Sequence, residues 1–276
     1  MISGEQIQSL SNISFCEELD CIKVNQIKSI SQNIHRISAF KHEDISQYNK
    51  IFIYTDSVKD FMYKFGAFLK PKTIIITHNS DLGIDETYIP FIELPNIEKW
   101  FCQNRYIAHD KLSSIPIGIG NSQWAHGNQS LLKNIRDNNY IKDNIVYKNF
   151  DINTNYSARN ICQQITHRNG IPFNNNTDIP TYWSSLARSC FVISPPGNGV
   201  DCHRIWEALF LKCVPVVLYH ECFSEFKNLP ILFVDSWEDV TLDFLKNNIS
   251  KYAEMFNSDI PQLTTEYWIK KINIYI

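Results

Sequence analysis

Short apolar runs alternate with amphipathic stretches along this chain, and this alternation most constrains how it can fold. Residues 50–54 and 73–77 read KIFIY and TIIIT, and such runs are typical of strands buried on both faces of a parallel sheet. Between them, residues 58–69 place apolar side chains at helical spacing. The alternation resumes at residue 144. The pattern predicts an α/β fold with parallel sheets.

A charged and asparagine-rich break at residues 138–143 separates two series of strands and helices. We therefore expect two lobes, over residues 1–140 and 141–262, and a last helix over residues 263–276. That helix carries large apolar side chains at helical spacing, namely Trp268, Ile269, Ile272 and Ile276. A solvated tail would not show such a stripe. We expect the helix to pack back on the first lobe, and the alternative is that it covers only its own lobe.

Three short segments of the first half give weaker signals. We expect a short helix or turn at residues 98–102, a short strand at residues 105–108 and a proline-containing strand at residues 114–119.

Composition excludes several classes of protein. The chain has 276 residues, 44% of them hydrophobic, which is typical of a well-packed globule. The net charge of −3 gives no reason to expect nucleic acid or an acidic membrane as a partner. No apolar run reaches the ~18 residues of a membrane span, and the first ten residues do not resemble a signal peptide. We expect a cytoplasmic protein, of a bacterium or of a virus-infected host cell.

Eight cysteines are scattered along the chain without CxxC spacing. In a chain of this size without a secretory signal, we expect buried, reduced thiols. His203 and Glu207 are four residues apart, but no HExxH pattern accompanies them, so we expect no metal site.

Residues 191–209 contain the most informative junction for function. They predict a buried strand, a turn with two glycines, and a helix that opens with Asp201. The free N–H groups and the dipole of such a helix start favour an anion, usually a phosphate. Arg204 suits a diphosphate, and Glu207 on the same helix face suits a ribose diol. The alternative is an ordinary strand–turn–helix with a surface Arg–Glu pair.

Polar clusters follow several predicted strands. They comprise residues 77–81, residues 120–127, residues 153–155 with Arg159, and the Pro-Pro-Gly-Asn-Gly turn. Ligands of open α/β sheets bind beyond the carboxyl ends of the strands, so these clusters predict a shared cleft. The alternative for each cluster is a solvated loop built on Asx-turns.

The stretch SPPGNGVDCHRIWEALFLKCVPVV, residues 194–217, resembles the signature of the exostosin-like glycosyltransferases, of the soluble bacterial or giant-virus type. The resemblance extends in order through ITHNSD, KWFCQN, IPIGIGNSQWAHGN and VYKNFDINTNYSAR, and it covers the chain from about residue 70 to 240.

The resemblance implies a GT-B-like fold, in which two Rossmann-like lobes face each other across a cleft. The second lobe would bind a nucleotide sugar, with UDP the commonest nucleotide of the family. The implied donor-site residues are Asn153, Thr154, Arg159, Ser194, Gly197, Asn198, Gly199, His203, Arg204 and Glu207. Neither a metal nor another cofactor is implied, because arginines and the helix start would stabilise the departing diphosphate.

The first lobe would bind the acceptor, a glycan hydroxyl. The implied acceptor residues are Asn121, Gln123, Trp124 and His126. Exostosin-like enzymes invert the anomeric configuration, so a general base must take the acceptor's proton. Asp81 and His78 are the leading candidates and His126 is the third; the alternative for these residues is acceptor binding or loop structure.

Lys212 departs from the family pattern. Relatives usually have glycine at this position, before the cysteine that precedes Pro-Val. If the backbone there requires a positive φ, a lysine costs roughly 1 kcal/mol.

Two other functions stay open. One is a non-catalytic sugar or nucleotide binder on the same fold. The other is a nicotinamide-dependent oxidoreductase, for which the first half lacks a GxGxxG after an early strand.

Overall fold

A computed structural model describes residues 1–17, 33–175 and 178–276. The sheet of the first lobe is parallel, with the strand order β2-β1-β3-β4-β5-β6. Its strands are β1 (Ile13–Cys16), β2 (Ile34–Arg36), β3 (Lys50–Tyr54), β4 (Thr73–His78), β5 (Ile97–Cys102) and β6 (Leu112–Ser114). The central strand β4 is buried along its whole length, as its unbroken apolar run predicts.

The described helices of the first lobe are short and lie between these strands or before them. They are α1 (Gly4–Gln8), α2 (His42–Ile45), α3 (Val58–Phe65) and α4 (Ile89–Ile92). In α3 the buried residues recur at helical spacing, and they cover one face of the sheet.

The second lobe holds a four-stranded parallel sheet in the order β10-β9-β8-β7. Its strands are β7 (Asn144–Tyr147), β8 (Ser189–Ile193), β9 (Val214–Leu218) and β10 (Leu232–Val234). The helices of this half of the chain are α5 (Gln129–Asp137), α6 (Tyr156–Arg168), α7 (Ile179–Arg188), α8 (His203–Phe210), α9 (Leu242–Met255) and α10 (Thr265–Asn273). Helix α5 packs on α7, so residues just before the sequence break at 138–143 belong to the core of the second lobe.

The predicted fold class is confirmed. Two parallel α/β lobes face each other across a cleft. One apolar core continues across both lobes, since Phe52 and Phe101 of the first sheet share a cluster with Trp206 and Phe223 of the second half. The carboxyl ends of β4, β5, β7 and β8 all point toward the cleft, which places their polar loops around it.

The last helix, α10, lies against the first lobe. It packs on α1, and the ring of Tyr275 just beyond it contacts the ring of Phe101 with centroids 6.0 Å apart. Trp268 and Ile272 are buried. Ile269 and Ile276 were expected on the same stripe but are 43% and 55% exposed, because Ile269 is one step round the helix and Ile276 lies beyond its end.

Two predicted segments are wrong. Residues 98–102 belong to the inner strand β5. The charged pair Glu98-Lys99 interrupts the apolar pattern expected of an inner strand. In the structure, the Lys99 ammonium donates to the carbonyls of Asp110 and Leu112. Residues 105–108 form no strand beyond an isolated bridge between Arg105 and Ile84. Of the segment predicted as a strand at residues 114–119, only Ser114 belongs to a strand, as the last residue of β6. Beyond it, Ile119 forms an isolated bridge with Ser3.

One cysteine departs from the expected reduced state. Cys16 is disulfide-bonded, while the other described cysteines are free: Cys102, Cys162, Cys190, Cys202, Cys213 and Cys222. Burial raises the pKa of the Cys102 and Cys213 thiols to about 12, so these two thiols are inert packing groups. Cys21 lies outside the described residues.

Lys212 has a φ of +56°, the left-handed conformation that glycine adopts without strain. Its side chain is exposed, so removing it loses no packing. We expect Lys212→Gly to raise the free energy of unfolding by about 0.5–1 kcal/mol. Chemical denaturation of both proteins measures the difference. Lys227→Gly, at an exposed position with φ of −59°, is the control and should be destabilised.

Candidate functional site

A cleft of about 380 Å³ opens between the carboxyl ends of the two sheets. Ten of the predicted site residues line it: Asp81, His126, Thr154, Arg159, Gly197, Asn198, Gly199, His203, Arg204 and Glu207. The volume falls in the range of small-molecule sites. The fold therefore brings most of the predicted donor site together with one face of the first lobe.

The Pro-Pro-Gly-Asn-Gly turn forms the floor of the second-lobe side. The Gly197 N–H donates to the Gly199 carbonyl at 2.9 Å, and Asn155 Nδ2 donates to the Gly197 carbonyl at 2.7 Å. A Cβ atom at Gly199 would lie 2.5 Å from Nδ2 of Asn104 in the first lobe. Glycine is required there because the loops of the two lobes touch.

The helix after this turn begins two residues later than predicted. Helix α8 starts at His203 with Cys202 as its N-cap, whereas Asp201 points back into the protein. The Asp201 carboxylate accepts from the Ile117 N–H at 2.7 Å and from Trp206 Nε1 at 2.8 Å. Burial raises the pKa of Asp201 to about 7. Because Ile117 follows the first sheet, Asp201 ties the two lobes together and is structural.

Arg204 projects from the first turn of α8 with two unused donors. Its Nε and Nη1 atoms are buried and form no hydrogen bond with any described residue. A buried guanidinium without partners is costly, and such donors normally find an acceptor. Its guanidinium lies 5.9 Å from the ring centroid of Phe150, and the residue lines the cleft.

Arg159 adds a second cation. Its Nε donates to the Pro196 carbonyl at 2.9 Å and its Nη1 donates to the Asp151 carbonyl at 2.6 Å. Burial, followed by the positive charge of Arg204, lowers the pKa of Arg159. Two arginines that face one cleft beside a helix start form a site for an anion.

Glu207 lies one turn further along α8 and is buried. One carboxylate oxygen accepts from the Tyr182 hydroxyl at 3.0 Å, and burial raises the pKa of Glu207 to about 6. The alternative of a surface Arg–Glu pair is wrong, since no ion pair joins Arg204 and Glu207 within 4.0 Å and neither residue is exposed.

His203 faces the first lobe, and its ring is fixed by a hydrogen bond between Nδ1 and the Gly118 carbonyl at 2.8 Å. Since a carbonyl only accepts, Nδ1 carries the proton and Nε2 keeps a lone pair in the neutral ring. Burial lowers the pKa of His203 to about 4. The helix start acts in the same direction, because it disfavours a cation.

This pKa predicts a specific pH dependence. In the unfolded chain His203 takes up a proton below its ordinary pKa of about 6.5, whereas in the folded chain it does so only below about 4. The free energy of unfolding therefore falls as the pH is lowered from about 6.5 to about 4. We expect the wild type to lose on the order of 1 kcal/mol relative to His203→Asn between pH 7 and pH 5. Asparagine can donate to the Gly118 carbonyl but does not titrate. Thermal melts of both proteins measure the difference, and a pH-independent gap would contradict the neutral buried ring.

The structure places the two leading candidates for the general base in different environments. Asp81 is exposed on the wall of the cleft. His78 does not line the cleft: it is 1% exposed, and its ring nitrogens lie 3.0 Å from the Pro116 carbonyl and from the Asn79 side chain. Burial lowers the pKa of His78. Its geometry fits a group that positions the loop after β4, because neither nitrogen faces the cleft.

His126 and Trp124 form an aromatic pair at the mouth of the cleft. Their rings are stacked at 8° with centroids 6.3 Å apart, and His126 also contacts His203 at 5.4 Å. Trp124 is 54% exposed, so one ring face is open to solvent. Burial lowers the pKa of His126.

Hydrogen bonds with helix α1 fix the loop that carries Trp124 and His126. The Glu5 carboxylate accepts from the Ser122 N–H at 2.6 Å and from its hydroxyl at 2.7 Å, while Asn121 Oδ1 accepts from the Glu5 N–H. Asn121 is therefore occupied in holding the loop, and Gln123 is exposed at its outer side. Neither lines the cleft.

Two predicted donor-site residues lie outside the cleft. The Asn153 N–H donates to Oδ1 of Asp151, and Asp151 is the residue that caps the turn before α6. Ser194 is 2% exposed and directly follows β8, where its N–H donates to the Val216 carbonyl. Thr154 does line the cleft.

Sequence reasoning missed several residues of the site. Asn104 joins the lobes, since its Oδ1 accepts from the Asp201 N–H at 2.9 Å, and it was missed because β5 was read as a turn. Tyr182 is an ordinary position on an amphipathic helix, and only the fold places it beside Glu207. Asn149 and Phe150 follow β7, so the strand-end rule could have found them.

Two absences concern the described part of the chain only. There, no group of three or more His, Cys, Asp or Glu side chains is arranged to hold a metal ion. No helix of residues 1–17, 33–175 and 178–276 has the length and apolar character needed to cross a membrane.

The chain matches no family model and no curated protein. Solved structures are similar over nearly its whole length. A trehalose-6-phosphate protein from E. coli, bound with UDP-2-fluoro glucose, shares 10% identity at a TM-score of 0.46, over 99% of this chain and 85% of that one. UDP-GlcNAc 2-epimerase from Methanocaldococcus jannaschii shares 11% identity at a TM-score of 0.41, over 98% of this chain and 94% of that one. At these values neither activity transfers to this chain.

Proposed function

We propose that this chain is a glycosyltransferase that moves a sugar from a nucleoside diphosphate to the hydroxyl of a glycan. The observation that carries the proposal is Arg204, which lines the cleft and whose enclosed Nε and Nη1 atoms lack partners among the described residues. A diphosphate supplies two negative charges and several acceptor oxygens, which is what these donors and Arg159 require.

The same groups can assist the reaction. When the bond between the sugar and the diphosphate breaks, negative charge develops on the leaving oxygen. Donors that are already oriented toward it lower the barrier without reorganisation. Arg204, Arg159 and the start of α8 provide such donors, so the chemistry does not require a metal ion.

Glu207 is placed to bind the ribose. It is on the same helix as Arg204 and lines the same cleft. Its hydrogen bond with Tyr182 fixes one oxygen. In the ionised form the carboxylate accepts the ribose hydroxyls, and the positive charges of the arginines favour that form.

The acceptor would enter between the cleft and the Trp124–His126 pair. A sugar ring can stack its apolar face on the open face of Trp124. We assign the general base to Asp81, whose exposed carboxylate lines the first-lobe wall, with His126 as the alternative. His78 is not assigned this role. A base on this wall takes the proton of the acceptor hydroxyl, whose oxygen attacks the anomeric carbon from the side opposite the departing diphosphate. The new bond then has inverted configuration, as in the exostosin-like family that the sequence resembles.

Incubation with a panel of UDP- and GDP-sugars and glycan acceptors tests the function directly. We expect release of free nucleoside diphosphate that depends on the acceptor and survives EDTA. Binding of a nucleotide without turnover on any acceptor would favour the non-catalytic binder. Complete loss of activity with EDTA and recovery with Mn²⁺ would contradict metal-independent departure of the diphosphate.

A further inference from the structure

Asn149 sits on the wall of the cleft and has no role in holding phosphate or ribose. It follows β7 and is 8% exposed. Its Nδ2 donates to the Tyr147 hydroxyl at 3.1 Å and to the Asn175 carbonyl at 2.8 Å. Both hydrogens of the amide nitrogen are therefore used.

These contacts fix which end of the amide faces the cleft. A backbone carbonyl cannot donate, so the end near Asn175 must be the nitrogen. Reversing the amide would place two oxygens 2.8 Å apart and lose a buried hydrogen bond. The Oδ1 atom accepts from no described residue and is absent from the fully enclosed polar atoms without a partner. It is an acceptor of fixed direction that stays open to the cleft.

The surroundings of Asn149 fit a planar heterocycle. Phe150, Ile179 and Tyr182 line the same cleft and provide apolar and aromatic surface. The Tyr147 ring lies 6.1 Å from the Tyr182 ring, and the Tyr182 hydroxyl bonds to Glu207. Asn149 is therefore linked through Tyr147 and Tyr182 to Glu207, the residue assigned to the ribose. A nucleobase attached to that ribose must lie close to Asn149.

We propose that Asn149 Oδ1 accepts the ring N–H of the nucleobase, so that the site selects uracil or guanine over cytosine and adenine. Uracil and guanine carry a hydrogen on the ring nitrogen of their pairing edge. Cytosine and adenine carry a lone pair there, which would face the lone pairs of Oδ1. This selection rests on the proposed function, because it requires a nucleoside diphosphate in the cleft.

Calorimetric titration of the wild-type chain with UDP, GDP, CDP and ADP tests the selection. We expect UDP or GDP, or both, to bind at least about tenfold more tightly than CDP and ADP, because a buried acceptor left unpaired is costly. UDP methylated at N3 has no ring N–H and should lose a similar factor if uracil is the base. Comparison of UDP with GDP then shows whether the site prefers uracil or guanine.

Asn149→Ala should bring the four affinities within about threefold of one another and leave the affinity for inorganic pyrophosphate unchanged. Tyr147→Phe is the matched control: it removes one anchor of the amide but keeps Oδ1 and the bond to Asn175, so selection should persist. If neither UDP nor GDP bound the wild type more tightly than CDP and ADP, the inference would be overturned, whatever the variants do. Failure of pyrophosphate and all four nucleotides to bind would instead overturn the proposed function.

Discussion

Replacement of Arg204 by alanine is expected to lower the rate of sugar transfer by about 10²–10³-fold while the fold is kept. The lost donors are the ones that would meet the charge developing on the leaving diphosphate. Arg204 has no hydrogen bond from Nε or Nη1 to any described residue, so its removal leaves no protein group newly unpaired at those atoms. The melting temperature without ligand should therefore be unchanged or slightly raised.

Two further variants sharpen this test. Arg204→Lys keeps a positive charge but loses the fork of donors, so it should recover only part of the rate. Arg168→Ala removes an arginine that is largely exposed and paired with Glu238, so it should keep wild-type turnover. Turnover of Arg204→Ala within about threefold of the wild type would remove this residue from the donor site.

Trp268→Ala should lower the free energy of unfolding by about 3–5 kcal/mol. The Trp268 side chain is fully buried and belongs to the core cluster that contains residues of both lobes. Its Nε1 also donates to the Gln262 carbonyl at 2.9 Å. Because typical domains are stable by only 5–15 kcal/mol, the loss would be a large share of the total, and we expect both lobes to melt at lower temperature in one transition.

Ile274→Ala is the matched control for this substitution. Ile274 follows the same helix but is 77% exposed, so its loss should change the stability by less than about 0.5 kcal/mol. Tryptophan fluorescence and far-ultraviolet circular dichroism can follow the unfolding of both variants. If Trp268→Ala unfolded at the same temperature as the wild type, this would contradict the claim that α10 contributes to one apolar core common to both lobes.

Elements with a clean period could be predicted from the sequence. KIFIY and TIIIT are strands because their central side chains are apolar and are buried on both faces. The strand β5 could not be predicted, because its second and third residues are charged. Glu98 is exposed, and the buried Lys99 donates to a carbonyl that is distant in sequence. No local pattern carries that information.

The same distinction holds for the candidate site. The Gly-rich turn and Arg204 could be found locally, because anion sites recur at this type of junction. The polarity of the turn did not reveal that Asp201 and Asn104 join the lobes, since their partners Ile117 and Gly199 are far away in sequence. The sequence places His78 at a strand end, but the structure buries its ring, which bonds to the Pro116 carbonyl.

A crystal structure of the chain with a bound nucleoside diphosphate would test the central claim most directly. The account predicts diphosphate oxygens at about 2.7–3.0 Å from guanidinium nitrogens of Arg204, with the ribose hydroxyls on Glu207. A diphosphate bound away from Arg204, or a nucleotide on the first-lobe wall beside Asp81, would contradict it.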